Sequence, residues 1–153
     1  MKTYLKNNSG LTLLELMIAA AVLIIAISGL LATFTGLLSL NENSRNLTLA
    51  MTACQDKMEE IRNSDFDTLY TSYNGTGFEP AGFPASDAEG NIYIDNTDPE
   101  LLKVCVSVSW KGASDRILGE DTNLDGALGS GEDSNGDNRL SSPAEIVTLI
   151  GRR

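Results

Sequence analysis

The chain has 153 residues, room for one small domain. Its 21 acidic residues outnumber 11 basic ones, for a formal net charge of −10, and so acidic a chain repels a phosphate backbone, which argues against nucleic acid as a partner. There is no histidine, so His-based acid–base and nucleophilic catalysis are excluded, and two cysteines permit one disulfide at most.

Residues 1–10 form a short polar leader that carries Lys2 and Lys6 and ends at Gly10. Leu11 opens an apolar run to about Leu40 in which Glu15 is the only charge. The uncharged part, Leu16 to Leu40, would span roughly 37 Å as a helix, more than the ~30 Å hydrocarbon core of a bilayer. A carboxylate at the edge of such a segment is expensive, so its presence signals function. Ordinary secretory signals have a shorter apolar core and are cut after it. Here the expected cut, between Gly10 and Leu11, precedes the core and leaves the hydrophobic helix on the mature chain. Basic residues ahead of the run and acidic ones behind it put the N-terminus in the cytoplasm and the remainder outside. The cut also removes two of the 11 basic residues, which takes the net charge to −12.

Gly10, the apolar Leu11, Thr12, Leu13 and Glu15 five places after the glycine resemble the prepilin signal of type IV pilins and type II secretion pseudopilins, which reads G, then apolar-T-L-x-E. The resemblance covers residues 1–40. It implies cleavage after Gly10 by a prepilin peptidase, methylation of the new Leu11 amine, and residence in the inner membrane before assembly with other pilin or pseudopilin subunits. In the assembled state Glu15, in its Thr12-containing motif, is expected to pair with the Leu11 amine of a neighbour, because both charges would otherwise lie alone in hydrocarbon. Bundling of the apolar helices would replace lipid contact, with Gly29 and Gly36 permitting close approach. Pilin helices often carry a proline in this region; none is present here, so any local melting would fall at Ser28-Gly29.

The helix is expected to continue beyond the membrane. Leu47, Ala50, Cys54, Met58 and Ile61 form one apolar stripe, with Arg45, Gln55, Asp56, Glu59 and Arg62 opposite. Asn63-Ser64-Asp65 reads as the stop, giving an element from about residue 12 to 63. Residues 64–100 are punctuated by Gly75, Gly77, Pro80, Gly82, Pro84, Gly90 and Pro99 and read as turns, with a short strand at Asn91–Asp95. The clearest strand is Leu102–Trp110, where Val104, Val106, Val108 and Trp110 alternate with Cys105, Ser107 and Ser109. Lys111-Gly112 marks a turn, and Glu145–Ile150 reads as a final strand. The fold class is therefore α+β: a long N-terminal helix, transmembrane in residues 11–40 and amphipathic in 41–63, packed on an antiparallel sheet of three or four strands within 64–153. The Val-x-Val-x-Val-x-Trp strand and the closing Glu-Ile-Val-Thr-Leu strand resemble minor pilin and pseudopilin I-type subunits. Alternation puts Cys105 on the sheet face opposite Cys54, so two structural thiols are expected in place of a disulfide.

Between the last strands lies an Asp/Asn/Gly loop, residues 119–143. Residues 121–132 fit the calcium-loop pattern Asp-x-Asp/Asn-x-Asp/Asn-Gly-x5-Glu in full. Asp121, Asn123 and Asp125 offer side-chain oxygens, Gly126 the sharp turn, Ala127 a carbonyl and Glu132 a bidentate closure. Asp133, Asn135 and Asp137 repeat the start at a period of 12 and are further candidate ligands; the repeat departs at Asn138, where Gly is expected, and at Ala144, where Glu is expected, with Glu145 one place late. Hard oxygens suit calcium, whereas zinc would want His or Cys. Six acids from Glu120 to Asp137 with no intervening base would repel one another without a cation. The alternative is a solvated linker.

The chain thus reads as a filament subunit, minor pilin or pseudopilin, and not an enzyme, held in the inner membrane with its C-terminal domain periplasmic before it enters the filament. The competing function is a single-pass, membrane-anchored, calcium-dependent adhesion or interaction protein, which would keep its leader.

Overall fold

The computed structural model describes residues 12–112 and 115–152. The leader, Gly10 and Leu11 lie outside the described residues. Helix α1 (Leu13–Arg62) is 50 residues long. Thr12 starts it: the Glu15 N–H donates to Thr12 Oγ1 at 3.3 Å, which satisfies one of the orphan donors of the first turn. As far as Ser39 the helix is apolar around its whole circumference, with Leu13, Leu16, Ile25, Leu30 and Phe34 all exposed. It is long and apolar enough to cross a membrane. Hydroxyls in this stretch bond within the helix: Ser28 Oγ donates to the Ile24 carbonyl at 2.8 Å and Thr33 Oγ1 to the Gly29 carbonyl at 2.9 Å. Ser28 and Gly29, the expected melting point, are helical.

Residues from Leu40 onward form a separate compact unit. In it α1 buries Asn46, Ala50, Ala53, Cys54, Met58 and Ile61. Four of the five expected stripe residues are therefore core. Leu47 is not, remaining 39% exposed although it points along the same face as Cys54 and Met58; at that end of the packed stretch the buried residue is Asn46.

The turn-rich reading of residues 64–100 is corrected at its start by a second helix, α2 (Phe66–Tyr73). Asp65 does not merely stop α1; its carboxylate accepts from the Asp67 N–H at 3.3 Å and caps α2. The helix exists because Phe66, Leu69 and Tyr73 share a face, with Leu69 buried in the core.

Among the described residues the sheet has five strands, one or two more than the periodicity predicted: β1 (Thr76–Phe78), β2 (Ala88–Asp98), β3 (Leu101–Lys111), β4 (Ile117–Leu118) and β5 (Ala144–Gly151). The additional strands, β1 and β4, have three and two residues, too short to show an alternation. All pairings are antiparallel. β3 is central, with β2 along one edge and both β4 and β5 along the other; the order is β1-β2-β3-β4 with β5 on β3. Ile92 and Ile94 of β2 lie opposite Val106 and Val104 of β3. These four, with Val108, Trp110, Leu69 of α2 and the buried apolar residues of α1, form most of the core. The expected strand Glu145–Ile150 is β5, its Ile146 opposite Val106 and its Ile150 opposite Leu102.

The second sheet face is covered as well. Cys105, Ser107 and Ser109 are buried although they point away from the valines, and the cover is the 119–143 loop. Ser107 Oγ donates to the Leu140 carbonyl at 2.6 Å and Asn91 Nδ2 to the Gly126 carbonyl at 2.5 Å. The unit is thus helix, sheet and loop in three layers. Both cysteines are free and buried. Cys54 belongs to the helix side, where its thiol donates to the Ala144 carbonyl at 3.5 Å. Burial, and secondarily Glu145, pushes its pKa up to about 12; burial also raises that of Cys105.

Candidate functional site

The loop between β4 and β5 is two copies of one backbone turn. In the first copy Asp121 accepts from the Asp125 N–H at 3.2 Å and the Gly126 N–H at 2.9 Å. Asn123 Oδ1 accepts from the Asp125 N–H at 3.0 Å, and Asp125 Oδ1 from the Ala127 N–H at 2.8 Å. Twelve residues later Asp133 accepts from the N–H groups of Asp137 and Asn138, both at 3.0 Å. Asn135 Oδ1 accepts from the Asp137 N–H at 2.9 Å, and Asp137 Oδ1 from the Arg139 N–H at 3.2 Å. The left-handed positions match too: Leu124 and Gly126 have φ 55° and 72°, Gly136 and Asn138 have φ 76° and 59°. The departure noted at Asn138 is therefore not a break in the repeat. Asn is the residue other than Gly that most readily takes this conformation, so Asn138 stands in for the glycine.

The carboxylates at the heart of the first copy are withdrawn from solvent. Asp121 is 1% exposed and Glu132 5%. Glu132 Oε1 accepts from the Thr122 N–H at 3.0 Å and its Oε2 from the Gly129 N–H at 2.8 Å, which closes the turn on itself. Burial raises the pKa of Asp121, against the N–H groups of Gly126 and Asp125 that favour its charge. For Glu132 the balance is reversed: burial would raise it, but the Gly129 amide and Thr122 hold it below the usual carboxylate range.

In the first copy Asp121 and Asn123 share one donor, the Asp125 N–H, and Asn123 Nδ2 donates to Asp125 Oδ2 at 2.9 Å, but the carboxylate oxygens of Asp121, Asp125 and Glu132 do not all approach within 4.8 Å of one another. Ala127, expected for its carbonyl, contributes its N–H, which donates to Asp125 Oδ1. Among the described residues, the acids whose oxygens all approach within 4.8 Å are Glu120, Asp133 and Asp137. Asp133 and Asp137 were candidate ligands; Glu120 was not. Glu120 reaches the second copy by accepting from the Ser134 N–H at 3.1 Å and the Ser141 N–H at 2.9 Å.

Glu89 is a second acid that the motif could not indicate, because it comes from β2, more than thirty residues upstream. Burial first, and then the charges of Asp121, Glu79 and Asp125, raise its pKa. A Cβ at Gly126 would stand 3.1 Å from Glu89 Oε1 and 2.9 Å from the Gly77 Cα, so glycine at that position also serves close packing of loop on strand. The one signal in the sequence was the alternation that puts Glu89 on the same side of β2 as Asn91.

The other functional candidates are at the start of α1. Glu15 and Thr12 are joined by the cap described above. Residues 5–31 match the model of a protein family, the prokaryotic N-terminal methylation motif. No curated protein and no solved structure matches the chain.

Proposed function

We propose that this chain, which carries the signature of type IV pilins and pseudopilins at its N-terminus, is a structural filament subunit, a minor pilin or pseudopilin. A prepilin peptidase cuts it after Gly10, and the Leu11 amine is methylated. The protein waits in the inner membrane with the unit from Leu40 onward on the periplasmic side, and then enters a pilus or pseudopilus by bundling its apolar helix with those of other subunits. The observation that carries this reading is the continuity of the methylation motif with the apolar part of α1, whose most hydropathic window is wholly unburied. An unburied apolar surface of that length needs lipid or other helices to cover it.

Glu15 is assigned the pairing with a neighbouring Leu11 amine. Glu15→Ala leaves the first-turn cap intact, since the capping group is the Thr12 hydroxyl and its donor is a backbone N–H. The variant should remain in the membrane fraction and disappear from sheared filaments. Normal incorporation would rule out the pairing as an assembly determinant. An anchored adhesion protein would show no filament fraction at all and would retain Met1.

The same reading assigns calcium to residues 121–132. Its support is the donor set: buried Asp121 and Glu132, with Asn123, Asp125 and the Ala127 carbonyl, are hard oxygens on a turn whose backbone is already bent inward. Asp133 and Asp137 gather separately with Glu120 in the second copy, with Asn135 in the same turn, and this group is not assigned an ion. Bound at residues 121–132, calcium would supply charge compensation and would shorten a loop that leads into β5.

A further inference from the structure

Two turns of the same geometry differ in the base available to them. The bases between Ile117 and Arg152 reduce to one, Arg139, and it lies at the seventh position of the second repeat, where the first has Ala127. Its Nε donates to Asp137 Oδ2 at 2.7 Å and an Nη donates to Glu145 Oε1 at 2.5 Å. The backbone N–H of Arg139 already holds Asp137 Oδ1, so both oxygens of the fifth-position acid are engaged by one residue. Glu145 is the closing glutamate displaced by one place, and the twelfth position is Ala144, fully buried and with no donor side chain to offer. A divalent ion with six to eight oxygen ligands would need the fifth-position carboxylate and a bidentate closure. Here the guanidinium holds both.

We infer that Arg139 takes the place of a metal ion in the second repeat, bridging Asp137 and Glu145 so that residues 133–145 close without a divalent cation. A guanidinium suits the task because its planar fork reaches two carboxylates at once and keeps its charge at any physiological pH. The displaced glutamate is then explained: a residue further along the chain lets Glu145 meet a side chain where a bidentate Glu would meet an ion. It also joins the loop directly to β5, since Glu145 lies opposite Ser107 on β3. The number of ions in the first repeat rests on the calcium reading above; the difference that Arg139 makes does not.

The test is calcium counting by isothermal titration calorimetry on the full chain in detergent micelles, wild type against Arg139→Gln, at millimolar calcium. The variant should bind one ion more than the wild type, whatever the wild-type number. Equal numbers overturn the inference, as does a wild type that already holds two. A wild type with none and a variant with one support Arg139 while refuting calcium in the first repeat. If Arg139→Gln does not fold, hydrogen exchange on the wild type decides. The amides of Gly136, Asp137 and Asn138 should keep their protection in excess chelator, and loss of that protection on chelation overturns the inference.

Discussion

Ile61→Ala, set beside Leu47→Ala, tests which residues of the α1 stripe carry the packing on the sheet. Ile61 is fully buried, whereas Leu47 is 39% exposed. Ile61 sits where α1, α2 and the sheet converge, in one cluster with Leu69, Val104 and Val106. Its surroundings come from three separate elements and cannot collapse together into the space left, so the cost should fall in the middle or upper part of the range for such truncations, about 3–4 kcal/mol. For a domain of about a hundred residues each kcal/mol lowers Tm by roughly 4–6 °C, so Ile61→Ala should lose about 12–24 °C. Leu47→Ala removes a side chain that solvent already reaches and gains slightly in helix propensity, so about 1 kcal/mol or less is expected. Trp110 is the chain's one tryptophan and is 2% exposed, which makes its fluorescence a reporter of core unfolding in detergent-solubilised protein. Equal shifts for the two variants, or a larger one for Leu47→Ala, would refute the packing described for α1.

Melting the full chain with calcium and with chelator tests the loop: an ion bound only to the folded state adds about 1.8 kcal/mol at twenty times Kd, and Asp125→Ala should abolish the difference. Coincident melts would leave the loop a solvated linker. Neither cysteine should react with iodoacetamide until the protein unfolds, since both are free and buried. The folded pKa of Cys54 is raised from 9.0 to about 12, so its contribution to stability is fully present below pH 9 and is lost as pH rises toward 12. Cys54→Ala should flatten that alkaline fall, and an unchanged profile would assign it to other groups.

Much of this architecture was legible because it is periodic. The apolar run to Leu40, the Val104–Trp110 alternation and the closing β-branched strand each announce an element by spacing alone, and each is present. What escaped has physical reasons. β1 and β4 are too short to show an alternation, and α2 is a two-turn helix concealed among glycines and prolines, although Asp65 and the 66–69–73 spacing marked it. Leu47 was assigned to the stripe by hydrophobicity, while the buried position next to it is Asn46, a polar residue that no apolar count selects. The loop's position over the second sheet face was written less openly. Cys105, Ser107 and Ser109 are small and uncharged where a solvated face would carry longer polar side chains, and that is the mark of backbone packed closely above. The calcium pattern located the two turns. It could not show that Glu120 and Glu89 approach them from outside the motif, or that Arg139 pairs with the misplaced Glu145, because those partners are set by tertiary packing.

The account stands most directly on the N-terminus of the mature protein. Mass spectrometry of chain purified from the membrane and from any sheared filament fraction should find a first residue of Leu11 carrying one methyl group on its amine, with Met1–Gly10 removed. An intact Met1 on filament-associated protein, or cleavage on the far side of the apolar helix, would contradict it.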